Sequence, residues 1–149
     1  MAVVGTLGVC LVWAATAAAP ATPPQAGVAF VSAATFTLAW NHSIEKVRWE
    51  EDYAVRVAAP GAVPQLLALA ARVKGSAAGM EPPPGAVWRD GWYQYTPQDT
   101  APTHIHLSRS EFVPDYELCT PEGCRPLGHW LPSDGGVTRL SACRYSGTP

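Results

Sequence analysis

The sequence predicts a small, mainly antiparallel all-β domain, a sandwich or barrel-like meander, preceded by an apolar N-terminal segment. Three observations carry this reading. Apolar and polar residues alternate in short runs, as in Phe36-Thr37-Leu38-Ala39-Trp40-Asn41, the period of a strand with one buried face. Fifteen Pro and thirteen Gly among 149 residues punctuate these runs with turns. The aromatic residues, six of them Trp, suit short strands better than a helical bundle. The length fits one domain with an ordinary core. A net charge of −2, with ten Lys and Arg scattered along the chain, argues against a nucleic-acid or anionic-membrane surface.

Residues 1–19 are apolar and small, ending in Ala15-Thr16-Ala17-Ala18-Ala19-Pro20. They read as a signal peptide with its exit near Ala17, or as an uncleaved membrane anchor, although no Lys or Arg precedes the run. Residues 20–29 read as a linker, residues 30–131 as the β domain, and residues 132–149 as a C-terminal tail.

Within the domain, Phe36, Leu38 and Trp40 share one side of a strand, and His42 continues that side at its end. The returning strand places Trp49, Glu51, Tyr53 and Val55 on one face, so joining the Trp40 side to the Tyr53 side predicts His42 near Glu51. Leu66 to Lys74 is ambiguous. Its composition is that of a helix, while Leu67, Leu69, Ala71 and Val73 fit period two. Gly75 to Gly85 is a loop in which Gly supplies positive φ before a Pro run. Asp90-Gly91 turns a hairpin between Val87 and Tyr95. Thr103 to Ser108 alternates again, Ile105 and Leu107 inward. A Thr120-Pro121-Glu122-Gly123 turn separates two short runs around Cys119 and Cys124.

The chemistry concentrates in Asn41 to Tyr53, since no Asp, Glu, Lys or Arg occurs before Glu45. His42, Glu45, Glu50 and Glu51 could supply metal ligands or an acid–base pair. They could equally form an ion-pair brace with Lys46 and Arg48, or bind a ligand. His104-x-His106 has the spacing of a metal pair but reads more simply as a solvent-facing stripe. The Gly75–Gly79 stretch lacks the Gly-Lys-Ser/Thr ending of a phosphate loop, yet its amides can form a small anion-binding concavity. Ser43 has no hydrolase elbow around it. Cys119 and Cys124, with four residues between them across a turn, are expected to form a disulfide in an oxidising compartment. Zinc would need two further ligands. Cys10 falls in the apolar segment and Cys143 is left over.

Three segments carry a resemblance: His42-Ser43-Ile44-Glu45-Lys46 with Trp49-Glu50-Glu51-x-Tyr53, then Arg72 to Pro83 around the Gly loop, then Leu118-Cys119 with Cys124-Arg125. Together they resemble the bacterial family of domain of unknown function 1850 over roughly Phe36 to Leu127, with Ala77 where that family has Gly. The resemblance implies a strand for Leu66–Lys74. It also implies a small exported or anchored protein encoded beside TRAP transporters of the TAXI type, and hence an accessory role beside such a transporter.

These readings converge on a non-enzymatic accessory or small-ligand (anion or carboxylate) binding protein, without a cofactor. Its expected location is the periplasm or the outer face of the inner membrane, its expected partner a transporter component or a small carboxylate, and its membrane contact confined to the N-terminal segment. The alternative is an envelope enzyme using His42 with Glu50 or Glu51 as an acid–base or metal site. The hairpin and the Gly loop are expected to meet in one site. Its ligand-binding candidates are His42, Ser43, Glu45, Lys46, Glu50, Glu51, Arg72, Gly75, Ser76 and Gly79.

Overall fold

Alternation in the chain becomes two antiparallel sheets. The computed structural model describes residues 5–16, 22–42, 46–75, 83–98 and 100–147. In chain order the strands are β1 (Thr6–Trp13), β2 (Val28–Ser32), β3 (Thr35–Asn41), β4 (Arg48–Arg56), β5 (Gln65–Lys74), β6 (Val87–Arg89), β7 (Trp92–Tyr95), β8 (Ile105–Ser108), β9 (Glu117–Thr120), β10 (Gly123–Pro126) and β11 (Val137–Tyr145). A four-stranded sheet runs β2-β1-β11-β8, and a seven-stranded sheet runs β10-β9-β3-β4-β5-β7-β6. They pack as a sandwich, β1 meeting β4 and β11 meeting β5. Among the described residues there is no α-helix, only short 3-10 turns at Ala14–Thr16 and Leu127–His129.

The core lies between the sheets. Val9 and Leu11 of β1, Leu38 of β3, Leu66 of β5, Leu118 of β9 and Leu140 of β11 are almost completely buried. Each such side chain contributes about 2 kcal/mol through removal from water. Phe36 and Tyr53, opposite each other on β3 and β4, stack at 5.3 Å between centroids. Gly8 permits the close approach of β2, because a Cβ there would run into the Val31 carbonyl and the Phe30 ring.

Two parts of the expected layout are strands of the smaller sheet. Thr6 to Trp13, read as an export segment or anchor, is a strand paired on both sides, from Val9↔Val31 to Leu11↔Leu140. An uncharged run bounded by small residues is also what a strand flanked by two others requires, so the composition does not separate the readings. Residues 132–149, read as a tail, contain β11, which joins β1 to β8. Its alternation is muted because Thr138 and Leu140 are its only fully buried members. Likewise β2 lies partly in what read as a linker. Among the described residues no helix is long and apolar enough to cross a membrane.

The ambiguous Leu66–Lys74 stretch is strand β5, as the family resemblance implied. Its register shifts against β4 between Asp52 and Tyr53, so Asp52 faces Ala70 and Tyr53 faces Ala68. The extra residue, Leu69, is 43% exposed. This bulge switches the buried phase from Leu66 and Ala68 to Ala71 and Val73, which is why one period-two set from Leu67 to Val73 does not hold.

Both disulfides join neighbouring strands. Cys119 and Cys124 close the β9–β10 hairpin as expected, and Cys10 bonds to Cys143 across β1 and β11. The thiols that a zinc site would need are therefore oxidised. Two disulfides accord with an oxidising, exported environment.

Candidate functional site

Strand β4 divides its charges between two faces. Arg48, Glu50 and Asp52 point away from the smaller sheet, while Trp49, Glu51 and Tyr53 point toward it. On the outer face the charges form one chain. Glu117 accepts from Arg48 at 3.0 Å, and Arg48 donates to Glu50 at 2.8 Å. Arg72 of β5 donates to Glu50 at 2.7 Å and to Asp52 at 2.9 Å, and the Thr37 hydroxyl completes the chain to Asp52 at 2.6 Å. Burial pushes the Glu50 carboxyl up, but hydrogen bonds from Arg48 and Arg72 outweigh it and hold the carboxyl below its ordinary range. This is the brace weighed from the sequence, with Arg48 and Arg72 as its cations rather than Lys46.

The inner face has a different character. Beneath the rim where β3 and β5 end, cross-strand register sets Trp40 opposite Trp49, Trp49 opposite Val73, Val73 opposite Tyr93, and Tyr93 opposite Trp88. Tyr116, just before β9, extends the row beyond Trp40. Ring centroids lie 5.9 Å apart for Tyr116–Trp40, 6.0 Å for Trp40–Trp49 and 4.8 Å for Trp88–Tyr93. The His42 ring stacks on Trp49 at 6.3 Å. The rings of the row are half-buried except at Trp88, which is 54% exposed, while Val73 between them is fully buried. The next row runs Leu118, Leu38, Glu51, Ala71 and Tyr95, and Glu51 is its charged member.

A cavity of about 310 Å³ opens beside this row, lined by Trp40, His42, Ser108, Ser110, Pro114 and Tyr116. The segment forming its far wall is pinned from below. Arg109, 3% exposed, donates twice to Asp115 at 3.0 Å and once to Thr138 at 3.2 Å. Asp115 also accepts from the backbone N–H of Tyr116 and of Gly128. A larger cavity of about 610 Å³ borders the same pair, whose donors are thus committed to holding the fold.

The sequence candidates distribute as follows. His42 sits at the rim on the aromatic face. Glu51 stands opposite Leu38, four residues along β3 from His42, with the Trp40–Trp49 pair between them. The expected closeness of His42 and Glu51 is corrected by this register, since four residues of strand span about 13 Å. Glu50 and Arg72 are on the opposite face and engaged with each other, so neither the His42–Glu50 pair nor an Arg72-held anion is assembled on the aromatic side. Lys46 is exposed with φ +53, and its N–H donates to the His42 carbonyl at 2.8 Å. Gly75, φ +73, leaves β5 with its N–H donating to the Gly91 carbonyl at 2.9 Å. Ser43, Glu45, Ser76 and Gly79 lie outside the described residues, and with them the meeting of His42 and Gly79. The described flanks show that both loops leave the same rim from adjacent strands, β4 beginning beside the end of β5.

His104 and His106 are exposed, their rings 4.6 Å apart, with Arg139 across the strand from His106. Glu117 lies near both sulfurs of the Cys119–Cys124 bond, a grouping that disulfide formation removes from metal chemistry. The aromatic row was not singled out from the sequence. Its members Trp40, Trp49, Trp88 and Tyr93 each stand in a short strand-like run of the sequence, but joining them needs the order of the strands.

A family model described as "Domain of unknown function (DUF1850)" matches residues 36–127. No curated protein and no solved structure matches the chain.

Proposed function

The chain belongs to the DUF1850 family, and from that premise we propose that it is a non-enzymatic binding domain of the bacterial envelope, an accessory to a TRAP-type transporter. The observation that supports this reading is the aromatic row from Tyr116 to Trp88, presented below a rim from which both family-specific loops depart. Half-buried Trp and Tyr are the residues that give binding surfaces most of their energy, because each offers large rigid area at small entropic cost. The paired Arg and acid side chains of the opposite face are stabilised where they stand, so this reading puts the working surface on the aromatic side. The domain acts in the periplasm, where its two disulfides persist, on a transporter component or on the small carboxylate that such a transporter carries.

Affinity capture from envelope extract tests this reading. The wild-type domain should enrich a TRAP transporter component, and Trp88→Ala, altered at an exposed ring, should enrich it at least tenfold less while keeping its melting temperature. Equal enrichment by both proteins, or a set of captured proteins without any transporter component, would contradict the proposal.

A further inference from the structure

Among the described residues, Glu50, Asp52 and Glu117 of the braced face and Asp115 beneath the cavities each pair with an Arg, and Glu51 pairs with none. Alternation sends it inward between Trp49 and Tyr53, and the Tyr53 hydroxyl donates to its carboxylate. The ion pairs among the described residues are made by Arg48, Arg72 and Arg109, none of them with Glu51. The residues outside the described set include no Lys or Arg. The neighbour of Glu51 on β5, Ala71, is small, and Glu51 itself is half-buried. Its charge is felt at the surrounding rings. Burial first and then Glu51 push the Tyr95 hydroxyl above its ordinary pKa, and burial, Asp115 and Glu51 do the same to Tyr116, which lines the 310 Å³ cavity.

An unbalanced carboxylate amid aromatic faces has a definite preference. The ring faces carry the negative end of their quadrupoles, so face and carboxylate together attract a positive charge and repel a negative one. An alkylammonium group adds apolar surface that the rings can cover, which a metal ion does not. We infer that this face, on the binding role proposed above, takes a small organic cation, seating its positively charged nitrogen toward Glu51 and its alkyl groups on Trp40, Trp49 and Tyr116. A carboxylate ligand meets this requirement when it also bears an ammonium group.

The test uses the oxidised full chain, with choline as the cationic probe and 3,3-dimethylbutan-1-ol as its neutral counterpart of the same shape. Indole N–H signals of the Trp residues are followed by NMR during titration. Choline should shift the Trp40 and Trp49 signals saturably, and the neutral alcohol should bind at least tenfold more weakly. Glu51→Gln should weaken choline at least tenfold, while Glu51→Asp retains part of the affinity. Equal binding of the alcohol by the wild-type protein overturns the inference without recourse to any variant. So does the absence of a saturable choline shift, and so does a folded Glu51→Gln protein that binds choline as before. A domain that captures its transporter component yet ignores choline would sink the cation alone, and acetate binding in its place would assign the site to anions.

Discussion

Glu50 shows how much a single position can carry. It is 16% exposed at the side chain, and two guanidinium groups meet on it from neighbouring strands. Its carboxyl is held below the usual value of 4.5, so the folded state binds its proton less readily than the unfolded chain. That contribution is fully present above the unfolded pKa and is lost as pH falls through the lower, folded one. Thermal unfolding followed from about pH 7 to about pH 3 should therefore show wild-type stability falling on the acid side. Glu50→Gln should be less stable by about 1 kcal/mol at neutral pH and lose less on acidification. A variant with the same acid slope as wild type would remove Glu50 from the network's energetics. At this scale the sequence was informative about faces. The alternation around Trp40 and Tyr53 correctly put Trp49, Glu51 and Tyr53 on one side. It does not give distance along the strand: the hairpin register sets Trp49 opposite Trp40, and the His42 ring stacks on Trp49 rather than lying beside Glu51.

Among the elements, those closed by local turns were the legible ones. The β3–β4 hairpin, the Asp90-Gly91 turn and the Cys119–Cys124 hairpin each join neighbours in the chain, so pattern and turn chemistry suffice to find them. β1 and β11 were not legible, because their pairing spans nearly the whole chain and neither carries a turn signal pointing to the other. Their union has consequences that can be measured. Removing residues 1–17 takes away β1 and Cys10, and the truncated protein should show no cooperative melting transition. A truncated domain that melts as the intact one does would show that β1 is dispensable to the fold. The disulfides should also differ. The Cys10–Cys143 bond closes a separation of 133 residues and the Cys119–Cys124 bond one of 5. On the loop-closure relation these stabilise by about 5 and about 2 kcal/mol. Cys143→Ser with Cys10→Ser should accordingly lower the denaturant midpoint more than Cys119→Ser with Cys124→Ser. The opposite order would show that the strain or residual structure of the unfolded chain governs instead.

For the molecule as a whole, the all-β class followed from composition and period alone, whereas the division of labour between the faces needed the strand order. β5 and β7 are neighbours in the sheet although residues 75–91, β6 among them, separate them in the chain, and only this adjacency makes Trp49, Val73, Tyr93 and Trp88 one row. On the proposed function, this row, and not the ion-paired face behind it, meets the partner. Site-specific photocrosslinking in living cells tests it directly. A photoreactive phenylalanine analogue replaces either Trp88, on the aromatic face, or Leu69, exposed at the bulge of β5. Adducts with a TRAP transporter component are expected from position 88 and none from position 69. Adducts from position 69 with none from position 88 would contradict it.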